Sequence, residues 1–342
     1  MKLGIVGLLH SGKTTVFEAL THQSESATHK GEGRLGTVNV PDSRLDYLRD
    51  MYEPKKQIYA QISYLLPGKH SQKKDSDKSA INQIRDCDAL IHVIRNFKTY
   101  GAEKPNPRQN FIELNQELIL TDLAVVEPRL ERLHLEKKQG RTIDEKEISL
   151  LTECLRHLED EVPLRKHPEL PSADILKGYA FISSKPMLVL FNNDDDDNRL
   201  PDIKKMNSNE TCMAVRGRLE QEIVQIPEEE KQDFLAEFDI AESAMDRVIR
   251  ESYELLGLIS FFTVGKDEVR AWTIKKDSTA LDAAGAIHTD FQKGFIRAEV
   301  VSFDDLTNAG SHQEAKKKGT VRLEGKTYIV QDGDVIEFRF NV

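Results

Sequence analysis

The sequence predicts an α/β fold: a mostly parallel sheet with helices on both faces, interrupted by a helical hairpin and followed by a small strand-rich domain. Three observations lead to this prediction. Strand-like and helix-like runs alternate over the first hundred residues, which is typical of a parallel sheet covered by helices. Two long amphipathic segments follow from about Phe111. Short β-prone runs separated by turns fill the last part of the chain.

The N-terminal segment joins a short apolar run to a glycine-rich loop. "KLGIVG" suits a buried strand, and "TTVFEALTHQ" has apolar residues at helical spacing. Between them "GLLHSGKTT", residues 7–15, fits G-x-x-x-x-G-K-[ST]. In such a loop the glycines let backbone N–H groups approach phosphates, Lys13 reaches the β and γ oxygens, and Thr14 offers its hydroxyl to Mg²⁺. The predicted phosphate-binding residues are Gly7, His10, Ser11, Gly12, Lys13, Thr14 and Thr15. A glycine-rich turn with a surface lysine is the alternative.

Length and composition limit the classes of protein. The 342 residues suffice for two or three domains, and the net charge of −10 gives no overall attraction to nucleic acid or anionic membranes, although a local basic face stays open. No segment approaches the roughly 20 apolar residues of a membrane span, and no leader is evident. Cys87, Cys154 and Cys212 are scattered, as expected of reduced thiols. A cytoplasmic protein without a membrane partner is therefore expected.

A helix-favouring region starts near Phe111. It runs through "IELNQELILTDLAVVEPRLERLHLEKKQG", breaks near Gly140 and Thr142, and resumes in "DEKEISLLTECLRHLEDEV". This pattern predicts a coiled-coil-like helical hairpin. An arm that touches a partner and a purely packing role are both open.

The remaining segments complete the predicted organisation. "KPMLVLFNNDDDDN" predicts a buried strand that ends in a polar loop, so the α/β domain resumes there. A helical stretch is predicted from about Pro227 to Leu256. "VRAWTI", "GFIRAEVVSF", "TVRLEG", "KTYIVQ" and "DVIEFRFNV" then read as short strands. The expected parts are an α/β domain over 1–110 and 178–256, a helical arm over 111–177, and a C-terminal domain over 257–342.

These features together resemble the YchF group of Obg-related P-loop NTPases. The likeness covers essentially the whole chain and is clearest in "RVIRESYELLGLISFFTVGKDEVRAWTIKK", "AAGAIHTDFQKGFIRAEVVSFDD" and "RLEGKTYIVQDGDVIEFRFNV", with "VPDSRLDYL" after the first helix. It implies a P-loop G domain interrupted by the arm and a C-terminal TGS domain of β-grasp fold. It also implies a cytosolic protein that binds ATP in preference to GTP, together with Mg²⁺. The ribosome or ribosomal RNA, contacted through the arm and TGS domain, is the implied macromolecular partner, and a monomer is expected.

The sequence departs from the family at the second metal-binding acid. A G domain needs an Asp-x-x-Gly at the end of a strand, and the family has "DIAGL" there. Here the strand reads "IYAQISYLLPG", so Gly68 remains and Leu65 or Leu66 stands in the place of the aspartate. The nearest downstream acids are Asp75 and Asp77. The loss removes much of the charge that anchors the cation.

The first switch also differs from the family pattern. Its region, "SESATHKGEGRLGTVNV", is short. The family threonine that contacts the metal and γ-phosphate corresponds to Thr28, or alternatively Lys30 takes that position. A lysine there would replace part of the lost metal charge, whereas a solvated surface lysine is the simpler interpretation.

Base recognition rests on weaker signals. In "FNNDD", Asn192 and Asp195 match the first and last positions of an Asn-Lys-x-Asp guanine site, and Asn193 replaces the lysine. The terminal aspartate favours guanine, whereas the missing lysine and the resemblance favour adenine. "VRGR" supplies Arg216, Gly217 and Arg218 as backbone contacts to the base. The acidic run 194–197 is either a cation site or a solvated loop, and the loop is the simpler interpretation.

Two hypotheses of function follow. One is a weakly active NTPase that cycles on a ribosome-linked partner. The other is a nucleotide-binding module with degenerate switches, in which hydrolysis is lost, and the missing acid and short switch favour it. No residue is identified as a catalytic base, although His10 lies inside the loop. A small-molecule kinase is disfavoured because no acceptor pocket or lid arginines are evident.

Overall fold

In a computed structural model of the chain, the described residues are 1–23, 33–68, 81–101, 103–202, 210–227, 230, 234–235 and 242–341. They group into two compact units, one from residues 1–36 and 63–245 and the other from residues 37–62 and 246–342. The three-part division expected from the sequence stays a prediction.

The elements of the described residues are numbered along the chain. The strands are β1 (Lys2–Val6), β2 (Arg34–Asn39), β3 (Lys56–Ile58), β4 (Gln61–Leu66), β5 (Ala89–Asn96), β6 (Met187–Asn193), β7 (Thr211–Val215), β8 (Leu258–Val264), β9 (Glu268–Lys275), β10 (Phe295–Ser302), β11 (Arg322–Glu324) and β12 (Asp334–Phe340). The α-helices are α1 (Lys13–Thr21), α2 (Ser43–Tyr52), α3 (Pro107–Lys138), α4 (Glu145–Glu159), α5 (Gly217–Gln225), α6 (Ala244–Leu255), α7 (Ala280–Ile287), α8 (Thr289–Lys293), α9 (Phe303–Ala309) and α10 (His312–Lys317). Short 3₁₀ turns occupy Leu164–Lys166 and Lys177–Tyr179.

The first sheet has the order β2-β4-β1-β5-β6-β7. Its central strands are parallel, with β1 between β4 and β5, and β6 between β5 and β7. All seven residues of β6 are buried, which is the pattern of a parallel strand covered on both faces. The carboxyl ends of β1, β4 and β6 therefore lie along one edge, where a ligand site is expected in an open α/β sheet.

The predicted hairpin is made by α3 and α4. Helix α3 begins at Pro107, four residues before the expected start at Phe111, because Asn106 caps it and proline suits the first helical position. The helices pack through a shared core that includes Val126, Leu151 and Leu158. Gly140 lies in the connection with φ of 76°, a conformation that favours glycine.

The second sheet has the order β11-β10-β12-β8-β9-β3. Most neighbours are antiparallel, whereas β12 with β8 and β3 with β9 are parallel. Helix α7 packs its buried alanines into the core on one face. Strand β3 lies far from β9 in the chain, and its pairing has no signal in local sequence patterns.

The observed sheets and helices confirm the predicted fold class, including the interrupting hairpin and the small C-terminal sheet with its packed helix. Among the described residues, no helix combines the length and apolar character that a bilayer crossing requires.

Candidate nucleotide site

The loop of residues 7–15 connects β1 directly to α1. Strand β1 ends at Val6, and α1 begins at Lys13 with Gly12 as its N-terminal cap in the left-handed region, at φ of 88°. This strand–loop–helix order is the context that the motif requires, so consecutive backbone N–H groups and the positive helix end point to one place. His10 is exposed and also has positive φ, 61°.

Both glycines of the motif stand where a side chain does not fit. A Cβ on Gly7 would lie 2.3 Å from the carbonyl oxygen of Val93 in β5. A Cβ on Gly12 would lie 2.2 Å from the Nδ2 of Asn192 in β6. The backbone of the loop therefore lies in close contact with β5 and with the Asn192 side chain of β6.

Lys13 is held by the loop itself. Its ammonium donates to the carbonyl oxygens of Gly7 at 2.6 Å and Leu8 at 2.7 Å. These contacts hold the charge close to the backbone of the loop, whose C-terminal end is the start of α1. A phosphate oxygen at this place would meet a positive charge and a helix N-terminus together.

The hydroxyl groups of the loop differ in exposure. The hydroxyl of Ser11 is buried and has no hydrogen-bond partner among the described residues. Thr14 is exposed, and Thr15 is half-buried. The glycine cradle, the orphaned hydroxyl and Lys13 fit the phosphates of a nucleotide. For Mg²⁺ the loop supplies one fitting ligand, the Thr14 hydroxyl.

Asn192 joins the loop to the start of α5. Its Nδ2 donates to the carbonyl oxygen of Ser11 at 3.2 Å, and its Oδ1 accepts from the backbone N–H of Gly217 at 3.0 Å. Asn192 is buried, and both ends of its amide are occupied. The predicted base-contacting segment and the phosphate loop are thus brought together through this one side chain.

The residues beside Asn192 organise the acidic loop. Asn193 is buried, and its amide donates to the carbonyl oxygens of Asp197 at 3.0 Å and Arg199 at 2.8 Å. Asp194 accepts from the backbone N–H of Lys98, at 3.1 Å. Hydrogen bonds from the guanidinium and the backbone N–H of Arg199 lower the pKa of Asp197 to about 2. Local donors therefore occupy two carboxylates of the run, as in the simpler, solvated-loop interpretation.

The other predicted base contacts lie at the surface. Asp195 is exposed, and Arg218, also exposed, holds its Nε 3.9 Å from the Asp195 carboxylate and 3.2 Å from that of Glu222. Arg216 precedes α5 and is half-buried, whereas Gly217 is buried against Asn192. Their contact with a base stays a prediction.

The end of β4 is apolar where a G domain carries its acid. Leu66 is buried, and Leu65 packs against a core cluster that includes Val6 and Ile84. Gly68 donates its backbone N–H to the Oε1 of Gln83 at 2.9 Å. Neither leucine can bind a cation, and the assignment of this strand end to the position of the G-domain acid stays a prediction. Thr28, Lys30, Asp75 and Asp77 lie outside the described residues.

Two buried features near the loop have no obvious sequence signal. Glu18 of α1 accepts from Arg34 at 2.8 Å and from Gln221 of α5 at 2.6 Å, which ties the helix after the loop to β2 and α5. His92 of β5 is fully buried, and burial lowers its pKa to about 3, with the charges of Arg165 and Lys13 acting in the same direction. A neutral imidazole therefore lies in the sheet beside β1.

Comparison with protein families gives a match in the C-terminal part of the chain. Residues 258–341 match the family model YchF-GTPase_C, described as "Protein of unknown function (DUF933)". The match covers β8 to β12 of the second unit.

Comparison with curated proteins gives matches over the whole chain. The "Ribosome-binding ATPase YchF" of Bacillus subtilis (strain 168) is 38% identical, over 99% of each chain. The protein of that name in Mycoplasma genitalium is 36% identical over 100% of each chain. The "Obg-like ATPase 1" of Oryza sativa subsp. japonica is 35% identical over 100% of this chain and 92% of its own.

A solved structure is also similar. "Structure of the Schizosaccharomyces pombe YchF GTPase" matches with a TM-score of 0.84 and 27% sequence identity, covering 99% of this chain and 97% of that chain.

Proposed function

This chain belongs to the YchF family, and on that premise we propose that it binds ATP or GTP at residues 7–15 and hydrolyses the nucleotide weakly or not at all. The proposal includes a role as a ribosome-associated regulator of translation in the cytoplasm. The observation that supports it is the closely packed glycine loop of residues 7–15 next to a strand end, Leu65 and Leu66, that carries no acid for a metal.

In this proposal the loop and the start of α1 bind the phosphates of the nucleotide. The backbone N–H groups at the start of α1 and the ammonium of Lys13 bind phosphate oxygens, and the Thr14 hydroxyl is the ligand for Mg²⁺. Mg²⁺, when bound, neutralises charge that develops on the phosphates. Only one protein ligand for it is found among the described residues of the loop and β4, so this neutralisation is expected to be weak.

The choice of base stays open between ATP and GTP. The exposed carboxylate of Asp195 suits the N1 and N2 donors of guanine. Asn193 occupies the position of the lysine, and its amide donates hydrogen bonds to carbonyl oxygens of the acidic loop. The guanine signature is therefore weaker. The names of the bacterial and rice relatives specify ATP, and the name of the yeast structure specifies GTP.

The alternative is an active ATPase or GTPase that cycles on a ribosome-linked partner. The relatives named ribosome-binding ATPases support it, and they also support ribosome association under either proposal. The helical arm and the C-terminal sheet are the proposed contact surfaces. Co-sedimentation of the full chain with ribosomes, with and without nucleotide, tests this part.

Calorimetric titration tests nucleotide binding most directly. ATP, GTP and their diphosphates are titrated into the purified chain with and without Mg²⁺. At least one triphosphate should bind, and Mg²⁺ should improve its affinity only modestly. At a concentration of 100 times the Kd, the bound nucleotide should raise the free energy of unfolding by about 2.7 kcal/mol.

The variant Lys13→Ala should abolish this binding while the far-UV spectrum stays unchanged. Lys104→Ala removes the same charge from an exposed position of the same unit and should bind like wild type. Absence of binding by wild type at millimolar nucleotide, or equal binding by Lys13→Ala, would refute the proposed site.

A further inference from the structure

Two glutamates face each other across the second sheet. Glu299 of β10 and Glu337 of β12 are direct partners in the antiparallel register, so their side chains lie on the same face. Like charges placed directly opposite destabilise a strand pair. Glu299 is buried, which raises the cost of leaving its charge without compensation.

A histidine completes a three-residue group with these glutamates. His312, the first residue of α10, brings a ring nitrogen within 4.8 Å of a carboxylate oxygen of both Glu299 and Glu337. The side chains of His312 and Glu337 make no hydrogen bond or ion pair with another described residue. Both also line a cavity of about 510 Å³, which leaves room for water beside the group.

Two cations already lie close to the carboxylate of Glu299. The guanidinium of Arg339 pairs with its Oε1, and the amine of Lys316 stands 3.6 Å from its Oε2, too far for a hydrogen bond. The side chains of Arg339 and Lys316 are 53% and 61% exposed, so both can turn into solvent. Neither cation pairs with Glu337.

We propose that Glu299, His312 and Glu337 bind one divalent transition-metal ion, with Zn²⁺ as the best fit. An imidazole with two carboxylates suits zinc, whereas Mg²⁺ and Ca²⁺ prefer oxygen ligands alone. Bonds of about 2.1 Å in a tetrahedral site separate ligand atoms by roughly 3.4 Å, so these atoms, which lie within 4.8 Å of one another, need to approach by at most about 1.4 Å. Water from the cavity takes the fourth position.

The proposed ion has a structural role. It joins two neighbouring strands to α10, and its charge compensates the repulsion between the two opposed glutamates. Zinc should therefore raise the melting temperature of the second unit, and the increase should grow with the logarithm of the free zinc concentration once that exceeds the Kd. This site is independent of the nucleotide loop.

Calorimetric titration of the nucleotide-free full chain with Zn²⁺ under reducing conditions tests the proposal. Wild type should bind one Zn²⁺ in the presence of millimolar Mg²⁺. His312→Gln and Glu337→Gln should each weaken binding at least about tenfold, the lower limit for losing even an outer partner of a metal ligand. Both positions are at or near the surface, and circular dichroism checks their fold.

Two further variants sharpen the test. His288→Gln removes an exposed histidine of the same unit that has one carboxylate neighbour, Asp290, and should bind zinc like wild type. Lys316→Gln removes a competing cation and should strengthen binding. Absence of zinc binding by wild type would overturn the proposed site. Binding by His312→Gln equal to wild type would also overturn it, because the ion would then be bound by other groups such as the thiols.

Discussion

The phosphate loop, residues 7–15, and the end of β4, residues 65–68, follow neighbouring parallel strands but have opposite chemistry. The loop contains glycines that allow close backbone approach, a lysine that donates to carbonyl oxygens, and hydroxyl side chains. The strand end consists of leucines that pack with the core. In the proposed site, phosphate binding depends on the first region, whereas the second region lacks the carboxylate that would hold Mg²⁺ together with Thr14, so phosphate binding can persist when metal binding is reduced.

The difference has a physical consequence for each region. Backbone N–H groups and Lys13 need no metal to attract phosphate, since the loop and helix end provide the positive potential. A leucine at the end of β4 gains about 1.5–3 kcal/mol from burial but gives no negative charge to hold Mg²⁺. Phosphoryl transfer relies on that metal for much of its charge neutralisation.

Among the variants of these two regions, Gly12→Ala is expected to have the largest effect on nucleotide binding and on stability. The new Cβ would meet the Nδ2 of Asn192, and φ of 88° strains any residue with a side chain. The free energy of unfolding should fall by about 1–3 kcal/mol, and nucleotide should no longer raise the melting temperature. Chemical denaturation and thermal shift measure the two effects.

Gly140→Ala is the matched control for backbone strain. Gly140 has a similar φ of 76°, but a Cβ there would meet nothing within 4 Å. In Gly140→Ala the free energy of unfolding should fall by about 1 kcal/mol, and nucleotide should raise the melting temperature as much as in wild type. Equal losses of nucleotide response in both variants would contradict the close-approach account of the loop.

Leu65→Asp is expected to change nucleotide binding less than Gly12→Ala and in the opposite direction, by strengthening it in the presence of Mg²⁺. The new carboxylate restores charge at the end of β4, so Mg²⁺ should improve triphosphate affinity about tenfold more than in wild type, or ~1.4 kcal/mol. The partly buried charge should lower the free energy of unfolding by about 1–3 kcal/mol. Titrations with and without Mg²⁺ measure the gain.

Leu65→Asn controls for polarity without charge, and Leu66→Asp tests the alternative position in the strand. Leu66 is buried, so its aspartate should destabilise the fold more than the one at Leu65. A Mg²⁺ response of Leu65→Asn equal to that of Leu65→Asp would show that charge at this strand end is not the missing element.

Local patterns in the sequence predicted the loop well. Glycine spacing, the apolar run before Gly7 and the helical spacing after Lys13 are short-range signals, and the structure places them as strand, loop and helix. The leucines at the end of β4 were equally visible as a departure from the family pattern.

Long-range contacts could not be predicted in this way. The sequence gives no sign that the Asn192 amide joins Ser11 to Gly217 through both of its ends, and its contact with a base stays a prediction. Glu18 meets Gln221 only after folding, and the pairing of β3 with β9 joins distant parts of the chain. Periodicity and spacing carry no information about such partners, since each depends on how the sheets assemble.

Phosphate release by highly purified protein tests the central claim most directly, with Lys13→Ala as the control for contaminating activity. We expect triphosphate binding together with turnover far below the median enzyme rate of about 10 s⁻¹, and no more than a small difference between wild type and Lys13→Ala. Brisk Mg²⁺-dependent hydrolysis that disappears in Lys13→Ala would contradict the claim and establish the active NTPase instead.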